Sequence, residues 1–240
     1  AAGEKAEETV EAEKTEAQPK VKNPNTYVWA TYGTVDSLDT CKAYDSASWT
    51  NMAIIYDTLV GYKGEATDEF VPLIAEEVPT VENGGITNGG KTFRFKIRKG
   101  VKFHSGDDLT PEDVEYTFER NMVLDPDAGP NWIWFYVFTD GMFGSRDGDG
   151  NIQVSFDTID KAVEVDGDYV VFNLADPFPP FLGVVAGKWA GIVNKSFCVE
   201  NGDWPGTAET WKDYNNPPED EEVLNDIADG AGPYKLTSWE

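Results

Sequence analysis

Basic residues are scarce: 19 Lys and Arg stand against 44 Asp and Glu in 240 residues, a formal net charge of −25. A surface this negative repels polyanions and excludes nucleic acid as a partner. Histidine occurs once, at His104, and cysteine twice, at Cys41 and Cys198, with no CxxC pair. No zinc site of thiolates and imidazoles can be assembled from that set, so neither a metal nor a cofactor is expected. In an oxidising compartment the two thiols could close a long loop in a disulfide worth roughly 5 kcal/mol at most; free buried cysteine is the commoner alternative. No apolar run reaches the roughly 18 residues that cross a bilayer, and the N-terminus lacks the basic-then-apolar pattern of a signal peptide. The chain therefore reads as soluble as given or already processed. Catalytic signals are missing as well. There is no GxSxG nucleophile and no HExxH pair, and carboxylates are too abundant for any two to be singled out as an acid and a nucleophile.

Apolar residues make up 40% of the chain and aromatic residues 13%, which excludes collagen, coiled coil and wholly disordered chain. Residues 1–25 are the exception. They hold no aromatic residue and little apolar surface beyond alanine, the composition of a disordered acidic tether in which Glu4 to Ala17 could form only an undocked helix. From Tyr27 the run YVWATYG reads as a buried strand entering a glycine. Trp49, Met52, Ala53, Tyr56 and Leu59/Val60 recur at helical spacing, which predicts a helix over 47–60 stopped by Gly61. Phe93, Phe95 and Ile97 alternate with Arg94, Lys96 and Arg98 as in a half-buried strand, and Val101 to Phe103 is the expected partner across Lys99-Gly100. Thr110-Pro111-Glu112-Asp113 opens a helix whose buried face carries Val114, Phe118, Asn121 and Met122. Asp125 to Pro130 ends it and leads into the aromatic-dense NWIWFYVF, and residues 162–174 form a hairpin about Asp166-Gly167.

Two motifs carry chemistry on paper only. Gly85 to Thr92 matches the phosphate-loop pattern, yet Lys91-Thr92 runs into an alternating strand rather than a helix, so a hairpin turn is the better reading. Ser145, Asp147, Asp149, Gly150 and Ile152 resemble a calcium loop, but Phe156 stands where the bidentate glutamate belongs, and an acidic hairpin is favoured. His104, between Phe103 and Ser105-Gly106, reads as a turn residue.

The stretch Phe70 to Arg120, with Pro72-Leu73-Ile74-Ala75-Glu76, KTFRFKIRKGVKFHSG and LTPEDVEYTFER, resembles extracellular solute-binding protein family 5, receptors of ABC importers for peptides, oligosaccharides and nickel. Tyr32 to Asp39, Ile55 to Val60 (IYDTLV) and Gly230-Ala231-Gly232-Pro233-Tyr234 agree with the family in order and spacing. The resemblance implies an α/β chain of the type II periplasmic-binding-protein class, a mixed sheet with flanking helices. Residues 26–60 and 181–240 would form the main part of a first lobe, with 61–180 an inserted small α+β subdomain. The chain stops at Trp239-Glu240, near where a second lobe would begin, so it resembles the N-terminal half of such a receptor. The family would place Tyr32, Gly33 and Thr34, the aromatic segment at Asn131, Trp132 and Trp134, and the edge residues Lys188 and Trp189 at the ligand cleft. It implies a monomer that captures an oligopeptide or oligosaccharide outside the cytoplasm without chemistry and delivers it to permease subunits. The acidic tether would run to a lipid-modified cysteine upstream of Ala1, or leave the protein free in the periplasm. Nickel is disfavoured by the single histidine. An extracellular carbohydrate-binding or adhesive module is the alternative that also suits eight tryptophans and strong acidity.

Overall fold

A computed structural model describes residues 25–30 and 32–239. The expected tether and its helix at Glu4 to Ala17 lie outside the described residues, apart from Asn25. The chain divides into two units, 1–32 and 33–240. In the first, Tyr27, Val28 and Trp29 are exposed and form no strand, contrary to the expectation from YVWATYG. Hydrophobic composition alone does not make a strand; its backbone groups need a ladder partner.

The second unit holds six α-helices and six strands among the described residues. Helix α1 (Ser46–Ile55) starts at Asp45, whose Oδ1 accepts hydrogen bonds from the N–H groups of Ala47 and Ser48 at 2.9 Å. It ends five residues short of the expected last residue, Val60. The 230–234 segment takes its last carbonyls: Gly232 N donates to Ile55 O and Tyr234 N to Ile54 O, both at 2.9 Å. A Cβ on Gly230 would lie 2.1 Å from Ile55 O, so this approach requires glycine. Gly61 then belongs to β1 (Val60–Tyr62), which pairs antiparallel with β2 (Phe70–Pro72).

The larger sheet has the order β3 (Ile86–Thr87), β4 (Thr92–Lys96), β6 (Tyr169–Asn173), β5 (Val163–Asp166). All described strand pairs are antiparallel, where a sheet of mixed direction was expected. The β4 alternation is as read: Phe93, Phe95 and Ile97 are buried. Its partner is not 101–103, however, but β6, with Phe93 opposite Phe172 and Phe95 opposite Val170. Residues 101–103 instead fold onto 107–109, where Leu109 N donates to Val101 O and Phe103 N to Asp107 O. The β5–β6 hairpin turns at Asp166-Gly167 as expected, with Gly167 at φ +63°. The phosphate-loop pattern is the β3–β4 turn, and Lys91 Nζ is held by Ala175 O and Asp176 Oδ1.

Helix α2 (Pro111–Leu124) crosses the sheet. Its start is a side-chain cap, with Asp113 Oδ2 accepting from both the N–H and the hydroxyl of Thr110 at 2.9 Å. Glu115 Oε1 accepts from Val165 N at 3.0 Å and so covers a donor of the edge strand β5. Phe118 joins the layers, its ring edge-on to both Trp134 and Phe172 at 4.8 Å between centroids. Helices α3 (Trp132–Phe138), α4 (Phe156–Asp160), α5 (Phe181–Val185) and α6 (Lys195–Glu200) complete the layer around that aromatic core. No helix among the described residues is long and apolar enough to cross a membrane.

Candidate functional site and family assignment

The site is built on the loop 39–45. Asp39 is buried and anchors it, receiving Arg120 Nη1 at 2.8 Å and Nη2 at 2.6 Å while its Oδ1 also accepts Cys41 N at 2.9 Å. Arg120, itself buried, reaches Asp203 Oδ2 through Nε at 2.7 Å. Burial pushes the Asp39 carboxyl up, but the guanidinium beside it more than reverses this and leaves it below the usual range. Cys41 and Cys198 are both free and buried near these charges, so the disulfide is not formed. Burial drives both thiols well up, away from the thiolate form.

Two glycine contacts then set the aromatic side chains in place. A Cβ on Gly129 would sit 2.3 Å from Cys41 O, so only glycine lets the start of α3 close on the loop, where Asn131 Nδ2 donates to the same carbonyl at 2.8 Å. On the opposite side a Cβ on Gly187 would lie 2.3 Å from the Trp189 ring, and Asn121 Nδ2 donates to Trp189 O at 3.4 Å. The outcome is a run of four aromatic residues. Trp189 stands edge-on to Trp49 at 5.4 Å, Trp49 edge-on to Tyr44 at 5.6 Å, and Trp132 Nε1 donates to the Tyr44 hydroxyl at 3.2 Å. Trp49 Nε1 is fixed to Ala43 O at 3.0 Å. Tyr44 and Trp132 are 48% and 39% exposed, so the floor is open to solvent although its base is locked.

Trp132, Lys188 and Trp189 thus lie at or beside this floor, with Lys188 exposed. Asn131 is buried and acts as its support rather than its surface. Trp134 is fully buried between Phe118 and Phe138 and is not available to a ligand. It stands two positions from Trp132, a rotation of about 200° on a helix, so the two indoles cannot share a face. Tyr32 falls in the first unit; Gly33 and Thr34 begin the second, and all three are exposed. Tyr44 and Trp49 were not singled out as site residues: Trp49 reads as part of a buried helix face, and Tyr44 has no periodicity to mark it. Beside Lys188, burial raises the half-buried Asp57 carboxyl, with Lys188 as an opposing cation.

A cavity of about 240 Å³ adjoins Trp132 and is lined by Asp125, Asp127, Arg146 and Asp147. These groups are largely engaged with each other and with the loop. Arg146 Nη2 donates to Asp125 O at 2.8 Å and Asp127 Oδ1 at 3.0 Å, and Asp147 accepts from the backbone N–H groups of Asp149 and Asn151 and from Gln153 Nε2. The calcium-like loop is therefore a self-closed acidic hairpin. No group of three metal-ligating side chains occurs among the described residues. His104 is the turn residue it was read to be, with Nε2 2.7 Å from Gly232 O.

Residues 69–240 match the model of bacterial extracellular solute-binding proteins, family 5 Middle. The dipeptide-binding protein DppE of Bacillus subtilis is 26% identical over 207 residues, which are 85% of this chain and 32% of that protein. Among solved structures, the pheromone receptor PrgZ superposes with a TM-score of 0.60 at 21% identity, over 86% of this chain and 35% of that one. The Helicobacter pylori periplasmic binding protein DppA, in complex with the peptide STSA, gives 0.58 at 23% identity over 85% and 35%. These neighbours share the type II periplasmic-binding-protein fold, and the chain spans about a third of their length. With its fold matched by those receptors and most of its length matched by one family model, this chain belongs to the bacterial extracellular solute-binding proteins of family 5, a family of binding proteins and not of enzymes.

Proposed function

We propose that the chain is part of the receptor of an ABC importer that captures oligopeptides outside the cytoplasm and passes them, unaltered, to membrane permease subunits. The observation that carries this is the open aromatic floor Trp189–Trp49–Tyr44–Trp132 on a base locked by a buried ion cluster. Flat rings with polar rims hold side chains and peptide planes by stacking and by hydrogen bonds at their edges. A rigid floor also avoids the cost of ordering it on binding. Peptide is favoured over oligosaccharide because the relatives above are named for dipeptide, pheromone or peptide binding. Residues 61–180, proposed as the inserted subdomain, contain the whole four-stranded sheet, while the floor combines that segment's Trp132 with residues of 26–60 and 181–240.

Capture needs contacts that differ between open and closed forms, and those contacts come from a second wall facing this floor. Calorimetric titration of this chain and of the protein in its natural full length, each against peptide and oligosaccharide panels, tests the reading. Expected is peptide binding by the full-length protein and a large loss of affinity in the 240-residue chain. Equal affinity of the two for a glycan would establish the carbohydrate-binding module instead, and turnover of any bound peptide would refute a pure receptor.

A further inference from the structure

The turn that joins β3 to β4, where the phosphate-loop pattern falls, has a chemistry of its own. Asn-Gly occurs three times in the chain, at Asn83-Gly84, Asn88-Gly89 and Asn201-Gly202. In each pair the glycine nitrogen is the nearest backbone nucleophile to the asparagine side-chain carbonyl carbon, and glycine has no Cβ to shield it. All six residues are exposed, so access to water does not separate the three pairs. Hydrogen bonding does. Asn83 is tied at both reacting groups: its Oδ1 accepts from Thr80 N at 2.8 Å and Gly85 N at 2.9 Å, its Nδ2 donates to Val78 O at 3.0 Å, and Gly84 N donates to Val81 O at 3.3 Å. Asn201, at the end of α6, is held in the same way, with Nδ2 donating to Phe197 O at 2.8 Å and Gly202 N to Val199 O at 3.1 Å. At Asn88 both reacting groups are free. Among the described residues its side chain has no hydrogen-bond partner and Gly89 N has no acceptor. The backbone there also lies in the left-handed region, with φ +51° at Asn88 and +65° at Gly89, a conformation that strains a residue carrying a side chain.

We propose that Asn88-Gly89 is a site of spontaneous modification at which the folded protein loses ammonia and gains a carboxylate. Gly89 N attacks Asn88 Cγ. The N–Cγ bond forms, the Cγ–Nδ2 bond breaks, and Nδ2 leaves as ammonia with the proton from Gly89 N, closing a succinimide ring. Water is the co-reactant of the second step. It opens the ring at Asn88 Cγ to give aspartate, or at the Asn88 main-chain carbonyl carbon to give isoaspartate, and nothing is oxidised or reduced. Either product adds a negative charge to a chain whose formal charge is already −25. Isoaspartate also carries the main chain through Cβ and Cγ, which lengthens the connection between Thr87 and Thr92, the pair at the turn end of β3 and β4. Each hydrogen bond that must break first slows ring closure by roughly fivefold, so the bonds at Asn83 and Asn201 protect those sites and leave Asn88 to react.

The test is peptide mapping by mass spectrometry of the full-length protein, incubated at mildly alkaline pH in the folded state and, in parallel, in urea. Conversion is read as the mass gained when the side-chain amide becomes a carboxyl, and isoaspartate by its separate elution from aspartate. Expected in the folded protein is conversion at Asn88 roughly tenfold or more faster than at Asn83 and Asn201, with the three rates drawing together in urea, where the protecting bonds are gone. The variant Asn88→Gln should leave the peptide that spans the turn unmodified over the same interval. Folded Asn83 or Asn201 converting as fast as Asn88 overturns the proposal. So do a folded Asn88 that stays intact while the same residue converts in urea, and a ratio among the three sites that is the same in both states.

Discussion

Glu119 and Arg120 are neighbours in sequence on α2 and both buried, yet their surroundings are opposite. Arg120 lies between Asp39 and Asp203, each at hydrogen-bonding distance. Glu119 faces Glu115 from its own helix and Asp160 from α4, with Lys195 of α6 as the opposing cation. Burial, then the two neighbouring acids, push its carboxyl up to about 8. Burial alone therefore fixes neither stability nor protonation. What decides is whether the buried charge meets its opposite, and in this chain the satisfied cluster lies under the aromatic floor while the unsatisfied one sits about 100° further round the helix that carries both.

The comparison breaks most visibly at Arg120. Arg120→Met leaves two buried carboxylates without a cation and should lower stability by about 3–5 kcal/mol, read as a drop in the urea midpoint or as failure to fold. Glu119→Gln should do the reverse. Because the folded pKa of Glu119 is raised above that of the unfolded chain, the unfolded state releases its proton first, so stability falls as pH rises from about 4.5 to about 8. Glutamine removes that contribution: the variant should be more stable at pH 8, by up to a few kcal/mol, and its midpoint should vary less between pH 5 and 8. A variant that unfolds more easily at pH 8 would show that Glu119 is charged and paired.

A third substitution sharpens the link between the ion cluster and the floor. Gly129→Ala places a methyl against Cys41 O and should cost about 1–3 kcal/mol while loosening Trp132 from Tyr44, visible as a changed tryptophan emission and a weakened ligand complex. Trp132→Ala should leave the unfolding midpoint nearly in place, since the ring is partly exposed, but reduce peptide affinity roughly tenfold, which calorimetry resolves. The smallest effect belongs to Lys63→Ala. Its ion pair with Glu69 at 2.6 Å is exposed on both sides, and the midpoint should not move measurably.

Elements whose signals are local were legible. Thr110-Pro111-Glu112-Asp113 announced α2 because a cap and a proline act within one turn. Asp166-Gly167 announced its hairpin because a tight turn needs a positive φ. The partner of β4 is not legible in the sequence because a short loop at Lys99-Gly100 competes with a strand more than seventy residues away, and periodicity carries no information about pairing at that distance. The length of α1 is hidden for a related reason: its last carbonyls are taken by residues 230–234, which nothing near Gly61 reveals. At the site, family resemblance points to Trp132, Lys188 and Trp189. Nothing local in the sequence points to Tyr44 and Trp49, and Trp134 differs from Trp132 by the face of α3 it occupies.

By itself the amino-acid sequence determined the strong negative charge, the poverty in thiol and imidazole ligands, the α/β class and the family, because composition and ordered local motifs survive without coordinates. Tertiary structure alone decided which aromatics face water, that Asp39, Arg120 and Asp203 form one buried cluster, and that Gly129 and Gly187 allow the backbone approaches behind the floor. The physical reason is range. Capping and alternation act over a few residues, whereas a buried charge and a shared aromatic face depend on segments that meet only once the chain has folded.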